Sequence, residues 1–251
     1  MLLRKTALVI LLAAYALMWV GGVVSQVRPE GAPAQPPWAA PAFLLLAGVV
    51  VVVTSRGREL ALLPAASLIG LAAEVVGVRY GFLFGDYAYT GALGPQLSGA
   101  PLVMASAWMV LVAYVRQMLM RLGPPAWAEA AIAAAWMTAI DLVIDPLAAG
   151  TLGYWRWGAG GVYYGVPARN FAGWFAVSLL IFGTVGVLFG RGRRSNPYVC
   201  LIGLSIILFF TAIALAHGLT LAGSIGVSLC AAHLAPSTLP AGRGASETNR
   251  W

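Results

Sequence analysis

The run AWAEAAIAAAWMTAIDLVIDPLA, residues 126–148, holds three charged side chains, Glu129, Asp141 and Asp145, in an otherwise apolar stretch. A segment this long and apolar reads as a membrane span. Yet Asp141 and Asp145 lie four residues apart near its end, so they share one helical face. A carboxyl group inside an apolar span is costly to bury and marks a functional position. Outward from this run, further stretches of spanning length occur at about 6–25, 38–55, 59–78, 100–120, 170–190, 197–216 and 218–235. The pattern predicts an all-α, polytopic integral membrane helical bundle of about eight transmembrane helices. The count falls to seven if the last run, short and rich in Gly and Ser, is re-entrant or interfacial. Residues 1–235 form one helical domain in this reading, and the polar stretch 236–251 a disordered cytoplasmic tail.

The composition supports the same class. Of 251 residues, 61% are hydrophobic and 9% charged, and mean hydropathy is +0.86; a soluble domain is nearer half apolar and a quarter charged. The net charge of +7 does not indicate a nucleic-acid partner, because the basic residues are scattered between apolar runs. They sort by side instead. With eight spans, Arg4, Lys5, Arg56, Arg58, Arg116, Arg121, Arg191, Arg193, Arg194, Arg243 and Arg250 fall on one side, and Arg28, Arg79, Arg156 and Arg169 on the other. The richer side faces the cytoplasm, which predicts a multi-pass cell-membrane protein with both termini inside. Arg4 and Lys5 ahead of an apolar run resemble a leader, but Thr6–Val24 is long enough to span and reads as the first helix. Cys200 and Cys230 both sit in apolar runs and suggest neither a disulfide framework nor a metal site.

Two connections, about 79–99 and 149–169, are long and dense in Gly and aromatic residues, and both fall on the outer side. Loops of this length in a compact bundle are usually functional, although Tyr and Trp also form interfacial belts. The acidic residues converge on the same side. Glu30 and Glu247 sit in polar segments, Glu59 opens a helix, and Glu129 lies near a helix start. Glu74, Asp86, Asp141 and Asp145 remain, all at or near the outer face. Carboxyl groups in apolar surroundings hold their proton and act as general acids, and close pairs divide into an acid and a base. The structural alternatives are an ion pair of Glu74 with Arg79, or Asp145 capping the following turn.

Other chemistries lack their residues. His217 and His233 are isolated, without the clustered histidines of di-iron membrane enzymes. Lys5 is the one lysine and lies outside any helix centre, which leaves no Schiff-base lysine. No phosphate-binding loop or dinucleotide fingerprint is present. Asp141-x-x-x-Asp145 has no second aspartate-rich motif to hold a magnesium diphosphate. Neither a metal nor a cofactor is expected. Acid catalysis on a substrate entering from lipid, where aromatic faces stabilise a carbocation, then stands as one option among several, with ion or solute transport through intramembrane carboxylates another.

Two blocks in order carry a family resemblance. The first is Glu74-Val-Val-Gly-Val78, Phe84-Gly-Asp-Tyr-Ala-Tyr89, Leu93-Gly-Pro95, Pro101 and Trp108. The second is Asp141-Leu-Val-Ile-Asp-Pro146, Gly153-Tyr-Trp-Arg-Trp157, Tyr163-Tyr-Gly-Val-Pro167 and Asn170-Phe-Ala-Gly-Trp174. Together they resemble the carotenoid biosynthesis family that contains the CruF-type carotenoid 1,2-hydratases, over a core of residues 74–174. The resemblance implies addition of water across the terminal 1,2 (1',2') double bond of an acyclic carotenoid end, of lycopene, gamma-carotene or bacterioruberin-precursor type, giving a tertiary alcohol without a cofactor. The chemistry of that step then points to Asp141 or Glu74 as the acid, with Asp145, Asp86 or Asn170 orienting water. Tyr87, Tyr89, Trp155, Trp157, Tyr163, Tyr164 and Trp174 would form the substrate pocket, and Arg79, Arg156 and Arg169 would hold carboxylates or lipid head groups. The expected partners are a lipid-dissolved carotenoid, water, membrane lipids and other enzymes of the same pathway. The alternatives are a membrane lycopene cyclase, a non-enzymatic carotenoid- or lipid-binding membrane protein, and a proton-coupled transporter.

Overall fold

A computed structural model describes residues 2–27, 36–192 and 195–235. The expected tail at 236–251, and with it Arg243, Glu247 and Arg250, lies outside the described residues, as do Arg28, Glu30, Arg193 and Arg194. The apolar runs become helices: α1 (Leu2–Val27), α2 (Ala39–Thr54), the short α3 (Gly57–Ala61), α4 (Leu63–Tyr80), α5 (Met104–Leu122), α6 (Glu129–Pro146), α7 (Ala168–Phe189), α8 (Pro197–Ala216) and α9 (Thr220–Leu234). The stops are local. Gly81 and Gly123 take left-handed backbone at the ends of α4 and α5, a conformation that costs glycine no Cβ clash. Asn196 caps α8 by accepting from the N–H groups of Tyr198 and Val199, with Pro197 at the first helical position.

The protein is a helical membrane protein, with five segments long and apolar enough to cross: Lys5–Val27, Gly57–Tyr80, Ala126–Thr151, Ala168–Phe189 and Pro197–Ala216. Three helices differ from a uniform eight-span pattern. α2 and α9 are shorter apolar helices, and α5 carries Arg116, Gln117 and Arg121 in its last two turns. α5 can hold these polar groups because it is the centre of the bundle, packed against α2, α4, α6 and α8. Glycines on three of these neighbours receive its side chains. A Cβ at Gly48 would meet Ser106, one at Gly70 would meet Trp108, and one at Gly203 would meet Tyr114. Small residues allow helices to approach closely where lipid supplies no hydrophobic drive.

Hydrogen bonds gather the connections at two ends. One end joins Thr54, Glu59, Arg116, Gln117, Pro124, Gly190, Asn196 and His233. The other joins Gln26 to His217, Thr90 to Tyr154, and Tyr164 to Leu221. The two aromatic loops meet at this second end, and here two short ribbons join the otherwise all-α bundle. β1 (Tyr87–Tyr89) pairs antiparallel with β4 (Trp155–Trp157), opposing Tyr87 to Trp157, Ala88 to Arg156 and Tyr89 to Trp155; β2 (Gln96–Leu97) and β3 (Ala100–Pro101) form a smaller pair. Tyr-Ala-Tyr and Trp-Arg-Trp each alternate with period two. The ribbon turns its four large rings inward and leaves Ala88 and Arg156 exposed.

Candidate active site

Glu74 lies on α4 between Gly70 and Gly77, positions i, i−4 and i+3 of one helical face. Each glycine clears a path for a donor. A Cβ at Gly70 would strike Trp108, and one at Gly77 would strike the Phe84 ring and the Tyr87 hydroxyl. Through these gaps Trp108 Nε1 donates to Glu74 Oε1 at 3.0 Å, while the Tyr87 and Tyr89 hydroxyls donate to Oε2 at 2.7 and 2.8 Å. Burial, with the Glu74 charge adding to it, pushes both tyrosine hydroxyls well above the usual phenol range. They stay protonated and remain donors.

Asp141 and Asp145 project together from α6, as their spacing predicts. Asn170, in the first turn of α7, donates from Nδ2 to Asp141 Oδ2 at 2.7 Å and to Asp145 Oδ2. Trp155 Nε1 donates to Asp145 Oδ1 at 2.8 Å. β1 therefore serves Glu74 and β4 serves Asp145, so the ribbon holds both loops to the acids. Glu74, Asp141 and Asp145 are each at most 3% exposed.

A cleft of about 420 Å³ opens beside the cluster, between α1, α2, α5, α6 and α8. Its walls are apolar, with Met18, Phe43, Leu111 and Phe209 among them, and Asp141 is the single carboxyl group on them. Asp141 Oδ1 accepts no hydrogen bond among the described residues, whereas Glu74 and Asp145 use both oxygens. Trp155 and Trp174 also border the cleft. Trp174 stacks on Trp108 with ring centroids 4.3 Å apart.

The other expected site residues occupy different places. Asp86 is exposed, set apart from the buried acids because β1 begins one residue later; its carbonyl accepts from Gly158 N–H at 2.8 Å. Tyr87 and Tyr89 serve Glu74 rather than bordering the cleft. Trp157 packs on Tyr87, and its indole N–H is buried without a partner among the described residues. Tyr163 donates to the Leu142 carbonyl at 2.8 Å. Pro146 has no N–H to fill that acceptor from within α6, and the phenol takes its place. Tyr164 accepts from Leu221 N–H at 3.0 Å, at the start of α9.

None of the three expected arginines holds a carboxylate among the described residues. Arg79 lies over the Tyr80 ring at 5.6 Å, Arg169 donates to the Phe82 carbonyl, and Arg156 is exposed. Among the described residues the ion pairs are Arg116–Glu59 and Arg191–Glu129, both at the opposite end. No three His, Cys, Asp or Glu side chains converge to hold a metal ion among the described residues. Trp108, a donor to Glu74 from 34 residues away, was not among the expected site residues, nor were Gly70 and Gly77. The glycines on either side of an intramembrane acid were the available signal.

No solved structure matches the chain. The bisanhydrobacterioruberin hydratase of Haloarcula japonica is 33% identical over 165 residues, which cover 62% of this chain and 55% of the relative. The chain thus spans about half the length of the curated relative it matches. The sequence pattern of the carotenoid biosynthesis proteins matches residues 39–233, taking in α2 through α9, the aromatic ribbon and all three buried acids. The chain belongs to the carotenoid biosynthesis protein family.

Proposed function

We propose that the protein is a carotenoid hydratase, adding water across the terminal 1,2 double bond of an acyclic carotenoid end group to give a tertiary alcohol. The observation that carries this reading is Asp141, the lone carboxyl group on an apolar cleft wall, held through one oxygen and open at the other. The similarity to a hydratase of a carotenoid supports the reaction class. At about 420 Å³ the cleft lies in the range of roughly 300–1,000 Å³ that encloses small ligands. It admits a branched end group of lycopene, gamma-carotene or bacterioruberin-precursor type. The rest of the polyene runs out past α1, whose span is 11% buried, into lipid.

In this mechanism Asp141 gives its proton to C2, and the cation forms at the more substituted C1. The faces of Trp155 and Trp174 stabilise that charge. The oxygen of water then bonds to C1, and a proton of the water passes to the Asp141 carboxylate, so the carboxyl ends as it began. Asn170, donating to both aspartates, fixes the pair's geometry, and Asp145 is the group through which the proton can be shared. The reaction as written uses carboxyl groups and water alone. Arg56, Arg58, Arg116, Arg121 and Arg191 gather at the end opposite the site. In this reading that end faces the cytoplasm, with the site toward the outer face.

Pigment analysis of a lycopene-producing host expressing the chain tests the reading. The expected product is heavier by one water, has an unchanged chromophore, and disappears in Asp141→Asn. An isomer of unchanged mass with a shortened chromophore would replace hydration by cyclisation, and a hydrated product that persists in Asp141→Asn would remove Asp141 from the mechanism.

A further inference from the structure

Hydration needs a held water as well as an acid, and the tyrosine hydroxyls already described are occupied with carboxylates and backbone. Tyr154 is not. It follows the π turn Leu147–Thr151 that continues α6, and its backbone is clamped on both sides. Its N–H donates to the Ala148 carbonyl at 2.7 Å, and its carbonyl accepts from Thr90 N–H at 3.0 Å and Thr90 Oγ1 at 3.2 Å. Tyr154 lines the cleft together with Asp141 and Trp155. The hydroxyls of Tyr87, Tyr89, Tyr163 and Tyr164 all have protein partners. That of Tyr154 forms no hydrogen bond among the described residues. A phenol in apolar surroundings costs free energy while unpartnered, and a polar point in a roomy cleft is where water is retained.

We infer that Tyr154 holds the water molecule that attacks the carbocation, an assignment that rests on the hydration reading. The water directs one hydrogen to Tyr154 Oη and the other to the Asp141 carboxylate that has just lost its proton. Its lone pair then faces C1. The C1–O bond forms as the O–H bond toward Asp141 breaks, and the proton returns to that carboxylate. Burial pushes the Tyr154 hydroxyl up to about 12, so the phenol stays neutral throughout. Without a placed water the cation has another exit. It loses a proton to the Asp141 carboxylate, either from C2, restoring the substrate, or from a methyl on C1, giving the methylene isomer.

The test is Tyr154→Phe in membranes supplied with lycopene in D2O, read by mass spectrometry. Phe keeps the ring and any stabilisation by its face while removing the hydroxyl. Hydrated pigment should fall about tenfold or more, the scale of losing one positioned hydrogen-bonding group. Deuterium should continue to enter the recovered carotenoid at a rate near that of the wild type. Undiminished hydration would overturn the assignment, as would hydration and deuterium entry falling together. Wild-type protein that neither hydrates nor exchanges would overturn the hydration reading itself, before the variant is made.

Discussion

The two ends of the bundle bury acids in opposite ways. At the basic end Glu59 meets Arg116 through two parallel hydrogen bonds, Nε to Oε2 at 3.0 Å and Nη2 to Oε1 at 2.9 Å, and Arg116 also reaches the Gly190 carbonyl. Glu129 pairs with Arg191. At the loop end three carboxyl groups meet no cation among the described residues. Two phenols, two indoles and one amide hold them. An acid joined to a guanidinium fixes helices and has its charge cancelled. An acid held by neutral donors is fixed in space and still able to exchange a proton, which is what a catalytic group needs.

If that contrast is right, breaking each end produces a different kind of damage. The largest effect is expected from Asp141→Asn, which keeps the shape of the side chain and removes its proton chemistry. Product formation should fall by about 10²–10⁴-fold, the usual contribution of a general acid, with the thermal midpoint in detergent little changed. Arg116→Met should do the reverse. Arg116 is 3% exposed and Glu59 20%, so removing the cation strands a largely buried carboxylate at a cost of about 3 kcal/mol. The midpoint should drop, while the rate per folded molecule holds. Loss of activity without loss of stability in Arg116→Met would erase the distinction between the ends.

Gly77→Ala probes how the neutral donors are seated. The added Cβ would lie 2.6 Å from the Phe84 ring and 2.9 Å from the Tyr87 hydroxyl. Overpacking of this kind costs about 1–3 kcal/mol, and Tyr87 should lose its bond to Glu74. Gly183→Ala on α7 is the control, because nothing lies within 4 Å of its new Cβ. Equal thermal shifts in the two variants would mean that Gly77 is not a seat for the donor.

Much of this arrangement can be read from the sequence, and the part that cannot has a physical cause. Hydropathy places the helices, and the i, i+4 spacing of Asp141 and Asp145 puts them on one face, because both signals are local. Glu74 stands out as an acid in an apolar run. Asp86 looks equally suitable, yet one step of chain puts it outside the cluster. The choice of donor for each acid is set by the ribbon register, which opposes Tyr87 to Trp157 and Tyr89 to Trp155 across 66 to 70 residues of chain. Period-two alternation in Tyr-Ala-Tyr and Trp-Arg-Trp reveals two strands but not that they pair. Trp108 gives no local sign at all, since its role depends on how α5 packs against the Gly70 gap. The likeness among the loop aromatics is also misleading: by sequence they form one class, whereas in the fold some hold acids, some support backbone, and two border the cleft.

Tyr163 and Tyr154 sharpen that last division with the smallest expected effect. Both are tyrosines of the second loop, and both lose only a hydroxyl on mutation to Phe. Tyr163 fills the Leu142 carbonyl that Pro146 leaves without a helical donor. Tyr163→Phe strands one backbone acceptor on the helix that carries both aspartates, a cost of about 1 kcal/mol at the low end for such groups because Tyr163 is part-buried. The expected outcome is a small drop in the thermal midpoint with the ratio of hydrated to isomerised pigment unchanged. Tyr154→Phe should leave the midpoint in place and change that ratio. Were Tyr163→Phe to alter the product ratio without touching stability, its hydroxyl would act on the reacting end group rather than on the helix, and the separation of backbone support from chemistry in this loop would have to be redrawn.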